Sequence, residues 1–223
     1  MPPEKARAST EVVHALIRAD LLAGVHQPGE KLKFSPLCER YGASVSVIRE
    51  ALTHLAGEGL VIAEPRIGFR VRDVSLQDLK DLTATRIDIE SLALRYAIER
   101  GDVEWESRVV AAHHRLERTP MVSADDPARI AEDWESAHGC FHATLLDGCG
   151  SPRLLDIARG LRDAAEFYRR WSQTRDPDRD VAGEHKGILE ATLARDTDAA
   201  EARLRAHYAR TVEILEPALR DKR

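Results

Sequence analysis

Residues 41–61, YGASVSVIREALTHLAGEGLV, limit the fold more than any other part of the chain. Gly42 is placed to end a short helix that begins near Ser35, because glycine takes the left-handed conformation without steric cost. Ser44 is placed to cap the next helix by accepting a bond from an orphan backbone N–H. Val47, Ile48, Ala51, Leu52 and Leu55 then recur at helical spacing and make an apolar stripe. Ser46, Arg49, Glu50 and Thr53 take the opposite face. Gly57 and Gly59 close the helix. Two β-prone runs follow, 60–62 and 69–72, around the turn-rich Glu64-Pro65-Arg66-Ile67-Gly68. Helix, helix and hairpin in this order make a winged helix-turn-helix, whose second helix enters the major groove by its N-terminal end.

The residues before this unit supply a further helix. Thr10 is expected to cap it and it should run to about Ala23, with Val12, Val13, Leu16, Ile17, Leu21 and Leu22 turned inward. Residues 1–9 read as an unstructured arm. Gly24 stops the helix, Gln27-Pro28-Gly29 makes a turn, and Ser35-Pro36 opens the short helix with a cap and a proline in the first turn. On the DNA-reading helix, Ser44, Ser46 and Arg49 would face base edges or nearby phosphates. Arg49 suits guanine, whose O6 and N7 accept two bonds from one guanidinium. It could equally clamp a phosphate or pair with Glu50 or Glu58. Lys33, ahead of the short helix, and Arg66, at the wing tip, would contact the sugar-phosphate backbone.

A net charge of −5 argues against nucleic-acid binding until it is divided. Residues 1–75 carry ten Lys/Arg and nine Asp/Glu; residues 76–223 carry 23 and 29. The acidity belongs to the second part, and the wing concentrates Arg66, Arg70 and Arg72. Basic groups on one face decide phosphate contact more than the net charge does. Three cysteines (Cys38, Cys140 and Cys149) make no disulfide framework, and no pair has zinc-finger spacing. The N-terminal MPPEKARAST has no apolar core of a signal peptide, and no apolar run approaches the ~20 residues that span a bilayer. A cytoplasmic protein without a membrane partner is expected.

From Leu76 the periodicity changes to long helices, expected at 76–100, 103–118, 130–148, 152–173, 180–194 and 196–219. The expected fold is mainly α: a winged helix-turn-helix over 1–75, then an all-α bundle of about six helices with an internal cavity over 76–223. The junction near 73–77 is short, which suits transmission of a rotation. Four of the nine histidines draw notice in the bundle. His138 and His142 are four apart and share a helix face with Trp134 and Phe141. His185 and His207 sit within the apolar patterns of the last two helices. Side chains on three helices of a bundle can converge on its interior, although a histidine pair at this spacing also occurs on solvated faces. His113 and His114 read as solvated, and His14, His26 and His54 as structural or exposed, with His54 in reach of a phosphate. Arg162, Arg169 and Arg170 read as part of a solvated face.

The first part resembles the GntR family of bacterial transcription regulators. The resemblance rests on Pro28-Gly29-Glu30-Lys31-Leu32, Ser44, Arg49-Glu50-Ala51-Leu52, Leu55, Gly59-Leu60-Val61 and Gly68-Phe69. It implies a DNA-binding wing that includes Gly68. The chain departs from the family at Val45, where an arginine is common, and at Val47, where many members have proline. The second part resembles the effector domain of the FadR subgroup, in its shorter VanR-like variety. Arg86-Ile87-Asp88-Ile89-Glu90, Phe141-His142-Ala143 with Leu145, Gly150-Ser151-Pro152 with Leu154, and Glu184-His185 with Ile188-Leu189 and then His207 carry that likeness.

The subgroup binds a divalent metal through one aspartate and three histidines. The histidines match His142, His185 and His207, and the aspartate position holds His138. The resemblance also implies that Arg86 faces the cavity and binds an effector carboxylate, where a surface ion pair with Glu90 is the plainer reading. Four nitrogen donors favour zinc, nickel or another late transition metal over magnesium or calcium. The expected function is a homodimeric regulator on a palindromic operator in double-stranded DNA. A small organic acid, a dicarboxylate or a hydroxy acid, would be the effector. A metal-dependent hydrolase with an accessory DNA-binding domain is the alternative. His138-Gly139-Cys140-Phe141-His142 lacks the glutamate that an H-E-x-x-H protease places after its first histidine, and no nucleophile elbow is present. No enzyme is therefore expected.

Overall fold

Ser44 does what its position demands. In the computed structural model, which describes residues 9–22, 25–124, 130–173, 175–176 and 178–220, it is extended and its side chain accepts from Val47 N–H. Gly42 ends the preceding helix in the left-handed conformation (φ 62°). The first unit contains α1 (Thr10–Leu22), α2 (Phe34–Tyr41) and α3 (Val45–Gly57). Its strands are β1 (Lys31–Leu32), β2 (Val61–Glu64) and β3 (Gly68–Val71), all antiparallel, in the order β1-β3-β2. The expected hairpin therefore gains a third strand from Lys31-Leu32, too short a run to show a period of its own.

The core of this unit is the buried set Val13, Ile17, Leu21, Leu37, Ile48, Ala51, Leu52 and Leu55, closed by Val61, Phe69 and Val71. Several local expectations need correction. Val12 and Leu16, expected inward, are about half exposed, because α1 buries the Val13–Ile17–Leu21 line, and a four-residue repeat offset by one points away from it. Val47 is only half-buried. The cap of α1 is Ser9, which accepts from Val12 N–H; the Thr10 hydroxyl donates to Glu50 instead. Helix α2 starts at Phe34, so Ser35 and Pro36 lie inside its first turn, where a missing N–H is harmless. Residues 1–8, and Ala23 and Gly24 at the expected end of α1, lie outside the described residues.

The second unit begins at Leu76, and its elements among the described residues are helices, with one isolated antiparallel bridge between Val122 and Ile130. Its elements are α4 (Leu76–Arg100), α5 (Val103–Arg118), α6 (Glu132–Asp147), α7 (Pro152–Gln173), α8 (Val181–Leu193) and α9 (Thr197–Arg220). No described helix is long and apolar enough to cross a membrane. Asp102 caps α5 by accepting from Trp105 N–H, and the buried Trp105 indole donates to Thr144 carbonyl on α6. The turn between α8 and α9 is tied to the turn between α4 and α5 through Arg195, whose guanidinium donates to the carbonyls of Ile98 and Gly101.

Gly101 is required by a close approach. A Cβ there would lie 2.1 Å from Trp105 Cε3 and 2.6 Å from Ala97 carbonyl oxygen. Overpacking of this kind costs about 1–3 kcal/mol. All three tryptophans (Trp105, Trp134 and Trp171) belong to the helical unit, so tryptophan fluorescence reports on that unit alone. Gly101→Ala should lower its unfolding free energy by that amount, read as a lower denaturant midpoint at unchanged slope; an unchanged midpoint would show that the α4–α5 turn relaxes at no cost.

Candidate metal site and nucleic-acid face

Within the helical unit, α6 turns Trp134, His138 and Phe141-His142 inward, α8 brings His185 and α9 brings His207. All four histidines are buried, and they are brought together with one donor atom from each within 4.8 Å of the others. His142 Nε2 faces His185 Nε2 at 3.3 Å. Imidazole nitrogens around a tetrahedral zinc at ordinary bond lengths stand about 3.3 Å apart. The outer nitrogens show which lone pairs turn inward. Glu184 accepts from His207 Nδ1–H at 2.6 Å, which leaves Nε2 of that ring as a lone-pair donor. Tyr208 hydroxyl donates to Glu90 at 2.6 Å and faces His142 Nδ1 at 3.4 Å, so it can only accept from that ring. The same tautomer follows for His142. Both nitrogens of His138 are buried without a hydrogen-bond partner, and its ring stacks on Trp134 at 4.9 Å. Orphaned, inward-facing imidazole nitrogens are costly unless a cation takes them. The donor set fits a late transition metal.

The electrostatics point the same way. Burial, then neighbouring imidazoles and arginines, holds His138, His142 and His185 well below the usual imidazole range. His207 is lowered too, by burial against the opposing pull of Glu184. The four rings are thus uncharged at neutral pH, as metal ligation requires. Burial works against the Glu184 carboxylate, but Arg179 and His207 outweigh it and bring its pKa to about 2. Tyr208 is pushed well above its ordinary value by burial and by Glu90.

A cavity of about 20 Å³, room for roughly one water, adjoins the cluster, with His138, His207, Arg86 and Gln173 in its wall. Arg86 does face it. Its guanidinium is buried, donates to Glu90 at 2.7 Å and lies 3.9 Å above the Tyr208 ring. The pair with Glu90 is therefore real but internal, not a surface pair. Two other expectations fail. His113 is buried with its edge toward Phe141, 5.4 Å away, while His114 is exposed as expected. Arg169 and Arg170 do not lie on a solvated face: Arg169 pairs with Glu135, and Arg170 binds Glu166 and, through two bonds, Glu132. Those carboxylates lie on α6 and one turn back on α7, and the α6 partners are more than thirty residues away in sequence. The roles of Glu184 and Tyr208 behind His207 and His142 were the parts of the site that spacing could not reveal.

In the first unit, Lys33, Ser46, Arg49 and Arg66 are exposed, and Ser44 and Gly68 are half-buried. Ser44 and Ser46 hydroxyls are 2.9 Å apart at the N-terminus of α3. Neither expected ion pair of Arg49 forms. Glu50 accepts from Thr10, Glu58 binds His14 and Arg18, and the Arg49 guanidinium lies 4.6 Å over the Phe34 ring, next to Lys33. The wing is less basic than its sequence because Arg70 is neutralised by Glu64 and Asp73; Arg72 donates to Gly59 carbonyl. Arg66 occupies the tip with φ 66°, beside Gly68 at φ 115°. The left-handed state costs a non-glycine residue about 1–2 kcal/mol.

Both halves match known families in their own regions. Residues 9–71 match the gntR family of bacterial regulatory proteins and residues 81–210 match the FCD domain. The chain belongs to the GntR family. It is 34% identical to the HTH-type transcriptional regulator BphR of Paraburkholderia xenovorans, over 96% of this chain and 88% of that one. It is also 34% identical to the HTH-type transcriptional repressor GlaR of Escherichia coli, over 91% and 94%. A putative L-lactate dehydrogenase operon regulatory protein of E. coli is 27% identical over 90% and 83%. The solved structure of E. coli McbR superposes with a TM-score of 0.68 over 96% of this chain and 99% of that one, at 18% identity, and shares the fold. A DNA-binding domain of the GntR type joined to an all-helical FCD domain makes the chain a transcriptional regulator.

The four lowered histidines set a pH dependence. Each binds fewer protons folded than unfolded, so stability is full above the unfolded value of about 6.5 and falls as pH drops below it. Metal-stripped protein should therefore lose stability between pH 7.5 and 5.5, read as a falling denaturant midpoint. The quadruple His→Asn variant should lose most of that slope and keep a small part from His113, which burial also lowers; a slope left undiminished would place the titrating groups elsewhere.

Proposed function

We propose that this regulator senses a small organic acid at a metal held by His138, His142, His185 and His207. The observation that carries the reading is the convergence of four buried, uncharged imidazoles, with two nitrogens of His138 left unsatisfied. Zinc or nickel suits four nitrogen donors. When bound, such an ion supplies a positive centre that attracts carboxylate or hydroxyl oxygen. Four neutral ligands leave its charge uncompensated, where an aspartate would remove one unit, so a dicarboxylate or 2-hydroxy acid is the preferred effector. Arg86, held by Glu90 and Tyr208, orients the second polar end. The relative named for an L-lactate dehydrogenase operon fits a hydroxy-acid class. The chain would act as a cytoplasmic homodimer on a palindromic operator, of the FadR subgroup.

On the DNA side, Ser44, Ser46 and Arg49 read or approach bases, and Lys33, Arg66 and Gly68 meet the backbone. Arg49→Ala should cost about 1–3 kcal/mol per half-site and relax sequence preference at one position. Arg66→Ala should weaken all sequences alike and flatten the salt dependence. A variant footprint with unchanged base preference would remove Arg49 from the readers.

Effector response and metal should stand or fall together. Matched mono- and dicarboxylates and 2-hydroxy acids, L-lactate included, are titrated against operator binding by metal-loaded protein. The favoured acid should change DNA affinity by about 5–150-fold, the usual span of allosteric coupling. Chelation verified by metal analysis should erase the change. A response that persists in fully stripped protein would refute the metal's part in sensing.

A further inference from the structure

We propose that His138 is the exchangeable donor of the cluster: it cedes its place to an anionic oxygen of the effector, while His142, His185 and His207 stay. The inference rests on the metal reading above and goes beyond it by assigning unequal roles to four histidines that look alike in sequence.

Three observations taken together set His138 apart: it alone of the four both lacks a tether and borders the cavity. The first is tethering. Glu184 holds the outer nitrogen of His207 at 2.6 Å and is itself clamped by two bonds from Arg179. His142 has Tyr208 hydroxyl at its outer nitrogen, and Tyr208 is held by Glu90. His138 has no partner on either nitrogen, and His185, which meets the His142 nitrogen at 3.3 Å, has no carboxylate or hydroxyl behind it among the described residues, so tethering sets His142 and His207 apart from these two. Outer partners fix a ligand's ring orientation, and removing one typically costs about 10–100-fold in metal affinity. A ligand without one is held mainly by the metal.

The second is position. Of the four rings, only His138 and His207 border the adjoining cavity, and His207 is tethered. His138 leans on Trp134 by ring stacking, a contact that permits sliding and rotation where a hydrogen bond to a carboxylate does not. The third is room. The cavity holds about 20 Å³, too little for an organic acid. Its charged walls are braced, Arg86 by Glu90, Arg169 by Glu135 and Arg179 by Glu184. Four protein donors would also fill the usual four-coordinate sphere of an ion such as zinc. Movement of His138 relieves both shortages at once: it opens a coordination position and enlarges the cavity from the same side.

The test uses full-length protein with zinc and azide, a small anion that binds metals end-on. Zinc affinity is measured by competition with a chromogenic chelator for wild type and for H138A, H142A, H185A and H207A. Loss of H142, H185 or H207 should cost at least about a hundredfold, and loss of H138 about tenfold or less. Because an alanine variant can fail to fold, the second arm uses wild type alone. Imidazole nitrogen shifts are recorded by NMR on zinc-loaded protein as azide is added. The His138 nitrogens should move to the free-imidazole range while the other three stay metal-bound. Equal affinity losses for all four variants, or azide shifts spread over all four rings, would overturn the assignment. Wild type that takes up no zinc would overturn the metal reading itself, and the exchange with it.

Discussion

The burial of four uncharged imidazoles at one point among α6, α8 and α9 is the constraint on which the helical unit is built. An imidazole shut away from water must stay neutral and must still place two nitrogens. The structure solves this for the outer nitrogens of His142 and His207 with Tyr208 and Glu184, each anchored by a further charged residue. Helices with no other reason to carry ionised groups inward thus bring in Glu90, Arg86 and Arg179. The polar interior is a chain of consequences that begins with the histidines, and it ends in the carboxylate–guanidinium pairs that wall the cavity.

The apolar core draws on all six helices and reaches the cluster through Trp134, Phe141 and Tyr208. Trp105, Val109, Phe141, Leu145, Ile188 and Leu204 fill the region between α5, α6, α8 and α9, and Phe141 stands between them and the cluster, its ring close to His142 and His185. His113 belongs to this border. Its ring packs edge-on to Phe141 and is lowered by burial, so it behaves as a core aromatic despite its place on a helix that reads as polar.

Much of this was legible in the sequence, and the limits have physical causes. Helix period and the Ser44 and Gly42 punctuation are local, so the winged unit and six later helices could be read to within a few residues. His142, His185 and His207 came from motif likeness, and His138 from its place one turn before His142. What failed was anything decided by a distant partner. Arg170 looked solvated because Glu132, with two bonds to it, lies 38 residues earlier. Val12 and Leu16 looked buried because apolarity does not say which of two adjacent helix lines faces the core. Strand β1 has two residues, and its pairing with β3 spans nearly forty. The basic wing was overestimated because Arg70 meets Glu64 across the hairpin, a contact that charge counting ignores.

Charge accounting around the cavity leads one step further. Arg86, Arg169 and Arg179 each have a carboxylate partner in the protein, so their pairs are close to neutral as a group. Arg86 remains cationic, since Glu90 and Tyr208 outweigh its burial, but its field is largely answered by Glu90. Neutral imidazoles add nothing. The chain's own groups therefore leave the cavity without a net attraction for anions, although its sequence is rich in arginine at that point. A divalent ion on the histidines would be the one uncompensated charge. Anion recognition then depends on the metal for its strength, while the arginines supply direction: a guanidinium already fixed by a carboxylate offers its remaining N–H groups at a set angle. On that division of labour, the donor at position 138 would weigh more in ligand choice than the number of arginines in the wall. A histidine keeps the full charge of the ion available to the ligand, and an aspartate would spend half of it within the protein.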